Sequence, residues 1–186
     1  MKTLIKGLMG ATIMASSFMI YEASAIQSKD GDNQVAAVFG GMKLRNMGPA
    51  LTSGRISDFA MDPRGWDRYF AATASGGIWL TENNGDTWKP IFDNYGSYSI
   101  GRIVLDPQDP NTIWVGTGEN NSQRSVAYGD GVYKSVDGGK TFKNVGLKQS
   151  EHIGDIDVHP TNSDIVYVSA QGPLWNSGGE RGVYKT

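Results

Sequence analysis

Short apolar runs, four to eight residues long, alternate along the chain with clusters of Gly, Asn, Asp and Pro. Ile56-Ser57-Asp58-Phe59-Ala60-Met61-Asp62-Pro63 is one such run. It recurs as Ile100-Gly101-Arg102-Ile103-Val104-Leu105-Asp106-Pro107 and as Ile153-Gly154-Asp155-Ile156-Asp157-Val158-His159-Pro160. A second line matches Tyr69–Thr73 with Ile113–Thr117 and Val166–Ala170. A third matches Gly77–Thr81 with Gly131–Ser135 and Gly182–Thr186. A fourth matches Trp88–Phe92 with Phe142–Gly146, and an extra copy, Leu44–Gly48, stands ahead of the first unit. Branched and aromatic runs bounded by turn formers are strand signals, and no sustained helical period competes with them beyond the N-terminal segment. Four short strands per unit, repeated every 44 to 53 residues, is the pattern of a β-propeller blade.

The expected fold is therefore all-β: four-stranded antiparallel blades. Blade one covers about 55–93, blade two about 99–147 and an incomplete blade three about 152–186, within a partial propeller over 39–186. Residues 44–48 would be a closing strand for the last blade. Two complete blades, most of a third and one closing strand suggest the N-terminal part of a longer protein. Such a piece leaves a sheet edge open, so it is expected to be poorly behaved alone. A self-assembling fragment is the alternative.

The first 25 residues read as an address. Lys2 and Lys6 precede an uncharged stretch from Gly7 to Ile20, and Ala23-Ser24-Ala25 is a small-x-small cleavage site. This is the tripartite secretory signal, with an uncleaved anchor as the other reading. Residues 26–38 would follow as a flexible leader. The protein is then exported, to the periplasm, the outer surface or the medium, with no membrane span after cleavage.

Composition narrows the chemistry. The chain has 17 Lys+Arg, 19 Asp+Glu and a formal charge of −2, which argues against a nucleic-acid partner. Cysteine is absent, so disulfides and thiolate metal sites are excluded. His152 and His159 lie seven apart, on opposite faces of a strand and about 23 Å apart if extended. They make no metal pair, and His159 replaces Asp62 and Asp106 as a turn residue. No metal or cofactor is expected, and no phosphate-binding or dinucleotide motif is present.

The turn between the third and fourth strands carries a motif. Ser135, Asp137, Gly139, Thr141 and Phe142 read S-x-D-x-G-x-T-F, and Thr81, Asn83, Gly85, Thr87 and Trp88 read T-x-N-x-G-x-T-W. Asp137 or Asn83 can accept hydrogen bonds from turn amides, the glycines allow positive φ, and Trp88 or Phe142 buries the start of the next strand. A calcium or carbohydrate site at Asp137 is the competing reading, but one carboxylate per turn is few for calcium.

This motif closely resembles the Asp-box, or BNR repeat, of sialidases and related propellers. Met47-Gly48-Pro49, Gly54-Arg55-Ile56, Gly76-Gly77-Ile78-Trp79, Gly116-Thr117-Gly118-Glu119 and Gly129–Ser135 resemble a bacterial group of large exported propellers. That group is similar to the sortilin-type propeller and to xyloglucanase-type glycoside hydrolases. The resemblance implies a long, exported, multi-bladed protein, with further blades as partners of this piece.

Strand order places the second-to-third and blade-to-blade connections on one rim, opposite the Asp-box turns. Tyr95, Tyr98, Glu119, Asn120, Asn121, Arg124, Tyr128, Asp130, Trp175, Asn176 and Arg181 fall on these connections. Aromatics among amides and charges suit a glycan, peptide or protein ligand; packing against neighbouring blades is the other reading. A glycoside hydrolase needs two carboxylates about the scissile bond. Xyloglucanase-type enzymes carry an aspartate in a T-D-x-G-G segment, and Thr73-Ala74-Ser75-Gly76-Gly77 has Ala74 there. Nor is a sialidase-like arginine cluster in register, because Arg102 aligns with Asp58 and Asp155. These three are candidates for lining the central channel. The sequence thus favours a binding scaffold with no catalytic residue of its own. The alternative is a glycoside hydrolase whose carboxylates lie partly elsewhere. A sortilin-like peptide receptor is a third possibility.

Overall fold

The structure is a computed structural model that describes residues 54–121 and 126–186, all inside the compact unit spanning 45–186. The expected signal peptide, leader and closing strand, and Arg124, lie outside the described residues.

Eleven strands and no helix make up the described chain. The first sheet contains β1 (Ile56–Met61), β2 (Tyr69–Thr73), β3 (Ile78–Thr81) and β4 (Lys89–Pro90). The second contains β5 (Ile100–Leu105), β6 (Ile113–Thr117), β7 (Val132–Ser135) and β8 (Lys143–Gly146). The third contains β9 (Ile153–Val158), β10 (Val166–Ala170) and β11 (Gly182–Lys185). Strands pair antiparallel with their sequence neighbours throughout. These are the blades of a β-propeller, two with four strands and one with three.

Each first strand breaks register at its second residue, at Ser57, Gly101 and Gly154, so the sheets share a bulge as well as a strand order. A bulge bends its strand and raises local twist. The first strands are also the ones that meet between sheets, β5 touching both β1 and β9. That is how sheets radiating from a common axis must pack. Along this inner row Arg102 Nη1 donates to Asp58 Oδ2 at 3.1 Å, and Arg102 Nε lies 2.7 Å from Asp155 Oδ1. The three residues proposed for the channel thus form one ionic chain across three blades.

Two apolar clusters fill the spaces between sheets. Phe70, Ala72, Ile78 and Leu80 of the first blade meet Ile100, Ile103, Ile113, Val115, Tyr133 and Phe142 of the second. Trp114 and Val132 of the second meet Ile153, Ile156, Val166 and Val168 of the third. Equivalent repeat positions do equivalent work, since Ile103 and Ile156 each face the blade before. Phe59 occupies that position in blade one. It is exposed, as is Trp88, which stands edge-on to Tyr69 at 5.4 Å. This corrects the expected burial of Trp88. Its counterpart Phe142 is buried by a neighbouring sheet, whereas Trp88 lies on the face of blade one turned away from blade two.

The two third-to-fourth-strand turns are hydrogen-bonded in parallel ways. Asp137 Oδ1 accepts from the amides of Lys140 (3.0 Å) and Thr141 (2.9 Å), and Thr141 Oγ1 donates to Oδ2 at 2.6 Å. Ser135 Oγ accepts from Gly139 N and donates to Asp137. Asn83 Oδ1 accepts from Thr87 N, and Thr81 Oγ1 accepts from Gly85 N. Gly85 and Gly139 have φ of 93° and 88°, which the turn demands and a side chain resists. The amides and hydroxyl hold the Asp137 carboxyl at about 2, below the ordinary 3.8. Replacing Asp137 with Ala is expected to cost about 1 kcal/mol, read as a small drop in melting temperature.

Beneath the same rim, Asp62 joins blades one and two. Its carboxylate accepts from Arg64 Nε (2.9 Å), Arg64 Nη2 (2.7 Å) and Arg68 Nη1 (2.6 Å). The arginines reach onward to Asn111 Oδ1 and Gly138 O of the next blade. Asp106 repeats the role by accepting from Ser163 Oγ of blade three. At the third copy, His159 Nδ1 accepts from Thr161 N as Asp62 does from Arg64 N, the turn role expected of it.

Candidate functional site

Among the described residues, the rim opposite these turns is built from 74–77, 91–99, 118–121, 126–131 and 171–181, on the connections that leave the other ends of the strands. Along it the first and second strands of each blade are closed by the same bond. Gly118 N donates to Ser99 O in blade two, Gln171 N to His152 O in blade three and Ala74 N to Arg55 O in blade one. Arg55, Ser99 and His152 are therefore one repeat position, the residue before each first strand.

Two of the three carry a buried polar centre. Glu119, buried at 3% exposure, forms an ion pair with Arg55. The Glu119 carbonyl accepts a 2.8 Å hydrogen bond from His152 Nδ1, and His152 is fully buried. That bond places the proton on Nδ1 and leaves Nε2 as a lone pair. Burial pushes the His152 pKa below its ordinary 6.5, with the nearby Glu151 opposing it weakly. A histidine neutral in the fold stabilises it above the unfolded value. That stability is lost as pH falls through 6.5 toward the lower folded value, because the unfolded chain takes up the proton first. Melting temperature is expected to fall over that window. His152→Asn, which keeps a donor for the Glu119 carbonyl but does not titrate, is expected to flatten the fall.

Asn120 is spent in the same way. Its Nδ2 donates to Gly101 O and Gly154 O of two adjacent first strands, and its own carbonyl accepts from Gln171 Nε2. Asp130 accepts from Tyr133 Oη at 2.5 Å and from Thr117 Oγ1 at 3.3 Å. Burial raises the Tyr133 pKa, and the Asp130 carboxylate adds to the effect. Tyr95, expected among the ligand-facing side chains, lies instead between blades one and two. Its ring packs on Phe92 at 4.8 Å and its hydroxyl accepts from Phe142 N. An aromatic beside the blade gap gains more by filling it than by standing in water.

Tyr98, Tyr128 and Trp175 remain open, at 61%, 57% and 57% exposure. The first two sit on segments tied to each other. Ser97 Oγ donates to Tyr128 O at 2.9 Å and Ser99 Oγ donates to Ala127 O at 3.0 Å. Tyr128 also rests edge-on against the His152 ring at 5.7 Å. Trp175 lies on the next connection, which Arg181 braces by donating to Pro173 O and Asn176 O. Asn121, Asn176 and Arg181 are exposed beside them. The rim therefore combines fixed backbones, open rings and internally engaged carboxylates.

Sequence reasoning picked Glu119 and Asp130 without their partners. Arg55 and His152 were legible as one column of the repeat, but nothing in that column says which loop would fold over it. Among the described residues, no cluster of three or more His, Asp or Glu is placed to hold a metal ion.

No family model matches the chain. It is 25% identical over 126 residues to the xyloglucanase Xgh74A of Acetivibrio thermocellus, which covers 60% of this chain and 15% of that protein. Among solved structures it is similar to the GH74 enzyme of Niastella koreensis, with 27% identity and a TM-score of 0.52 over 68% of this chain and 19% of that one. An ancestral GH74 enzyme superposes with a TM-score of 0.56 at 20% identity, over 71% of this chain and 17% of that one. The chain thus spans less than a fifth of each of these relatives, and its three sheets are propeller blades similar to those of GH74 enzymes.

Proposed function

We propose that this protein binds a polymeric glycan along the rim bearing Tyr98, Tyr128 and Trp175. The observation that carries the reading is the pair of open tyrosines on backbones locked together by Ser97 and Ser99. Sugar rings stack on aromatic faces, and rings on rigid segments lose little conformational entropy on binding. Exposed amides and Arg181 nearby supply the polar contacts that orient a glycan. Likeness to a xyloglucanase supports xyloglucan over a peptide. Export, as a destination where such polymers are met, belongs to the same proposal.

Binding without cleavage is favoured by the state of the rim carboxylates. Glu119 is paired with Arg55 and buried, Asp130 is engaged by Tyr133 and Thr117, and Ala74 stands where the xyloglucanase-type pattern has aspartate. The second reading, hydrolysis, rests on the likeness to xyloglucanases and requires a carboxylate pair that these residues do not provide.

Titration with xyloglucan tests the proposal. Saturable binding is expected, weakened about 100-fold when Tyr98, Tyr128 and Trp175 are all changed to Ala, with the melting temperature unmoved. A reducing-sugar assay on the same samples separates the readings, since turnover would support hydrolysis. Capture of extended peptides with no sugar binding would replace both.

A further inference from the structure

Three blades grip one connection. Arg55 of blade one pairs with Glu119, Ser99 Oγ of blade two donates to Ala127 O, and His152 Nδ1 of blade three donates to Glu119 O. The three are copies of one repeat position, and all of them reach the β6–β7 connection, which carries Tyr128. The residue before His152 adds a fourth hold, since Glu151 O accepts from Gly129 N at 2.7 Å. Glu151 has a φ of 62°, left-handed backbone that a side chain resists and that its surroundings must maintain.

Of the three gripping side chains, only that of His152 changes charge near neutral pH. Its ring is fully buried, with the exposed Tyr128 edge-on to it at 5.7 Å. Among the described residues no group hydrogen-bonds its Nε2. The charged residues on the elements around it are Glu151 on its own segment, the Arg55–Glu119 pair and Asp130 at the β6–β7 connection, and Glu180 and Arg181 on the β10–β11 connection. Among them Glu151 alone favours the charged ring, and burial outweighs it. A proton on Nε2 would place a charge and a second N–H where no acceptor stands, which is costly in a buried site. Hydrating them requires lifting the cover, and Tyr128 is part of that cover.

We infer that His152 is a positioning residue of this rim: as a neutral ring it seats Tyr128 and the connection bearing it, and on protonation it unseats them, so that acid releases a bound glycan. The inference rests on the glycan reading above for its ligand, and on the contacts of Glu151 and His152 with the β6–β7 connection for its mechanism. The coupling is reciprocal, so bound glycan must in turn disfavour the proton on His152.

Calorimetric titration of the whole chain with xyloglucan between about pH 7 and about pH 4.5, beside NMR of the His152 and Tyr128 rings, tests this. The window lies above the one in which Asp62 acts. The expected result is an affinity that falls by up to about tenfold per pH unit once His152 begins to titrate, the most that one proton allows. The nuclear Overhauser contact between the two rings is expected to be lost with the same midpoint, and saturating xyloglucan to lower that midpoint. His152→Asn, which keeps a donor for the Glu119 carbonyl, is expected to bind without the slope. An affinity flat with pH, a slope that survives in His152→Asn, or a ring contact that persists on protonated His152 would overturn the inference. No xyloglucan binding at any pH, with the ring contact still lost on protonation, would overturn the glycan reading and support the positioning of Tyr128 by His152.

Discussion

Gly116→Val is expected to lower the melting temperature by several degrees and to cost at least about 2 kcal/mol. A Cβ at Gly116 would lie 2.5 Å from Ile153 Cγ2 and 2.8 Å from Ile153 Cβ, closer than real carbon contacts allow. Ile153 is fully buried at the start of β9, so it has no empty space to turn into. Overpacking a filled core costs about 1–3 kcal/mol, and relief here requires two sheets to separate. For a chain of this size each kcal/mol moves the midpoint by about 2–4 °C. Calorimetric scans of Gly116→Ala and Gly116→Val should show a graded loss, with Val the worse. Unchanged midpoints would mean that blades two and three are not seated on each other as described.

Asp62→Asn is expected to be the costliest change at the opposite rim, at about 2–4 kcal/mol. The carboxylate is buried, and it neutralises Arg68, which is itself mostly buried. The pair with Arg64 is half-exposed and contributes less because solvent screens it. Hydrogen bonds from Arg64, opposed in part by burial, hold the Asp62 pKa far below its ordinary 3.8, with Arg68 adding to the effect. A carboxylate depressed in the fold contributes stability that is present above its unfolded pKa. That contribution is lost as pH falls from 3.8 toward the folded value, because the unfolded chain protonates first. Denaturant titrations across that window should show the wild-type chain losing stability more steeply than Asp62→Asn. Equal slopes would remove Asp62 from the account.

Much of the fold was legible because the repeat itself carried it. The second strands match residue for residue at Tyr69–Thr73, Ile113–Thr117 and Val166–Ala170, since each is a fully apolar or small run closed by a turn. The fourth strands were less legible. Trp88–Phe92 shrinks to Lys89–Pro90, because proline has no amide to donate and Phe92 leaves the strand to fill the blade gap. The candidate site was legible only as loops. That Tyr95 turns inward while Tyr98 stays outside depends on the cavity left by Phe92, Tyr133 and Phe142, which sequence spacing does not encode. The pairing of Glu119 with Arg55 joins two blades across 64 residues, a distance no local pattern reports.

The most direct test of the central claim is hydrogen exchange of the whole chain with and without saturating xyloglucan. The account predicts slowing confined to residues 94–99, 126–131 and 171–181, the segments bearing Tyr98, Tyr128 and Trp175. Slowing confined to 62–68, 82–88 and 136–142 on the opposite rim, or no change anywhere, would contradict it.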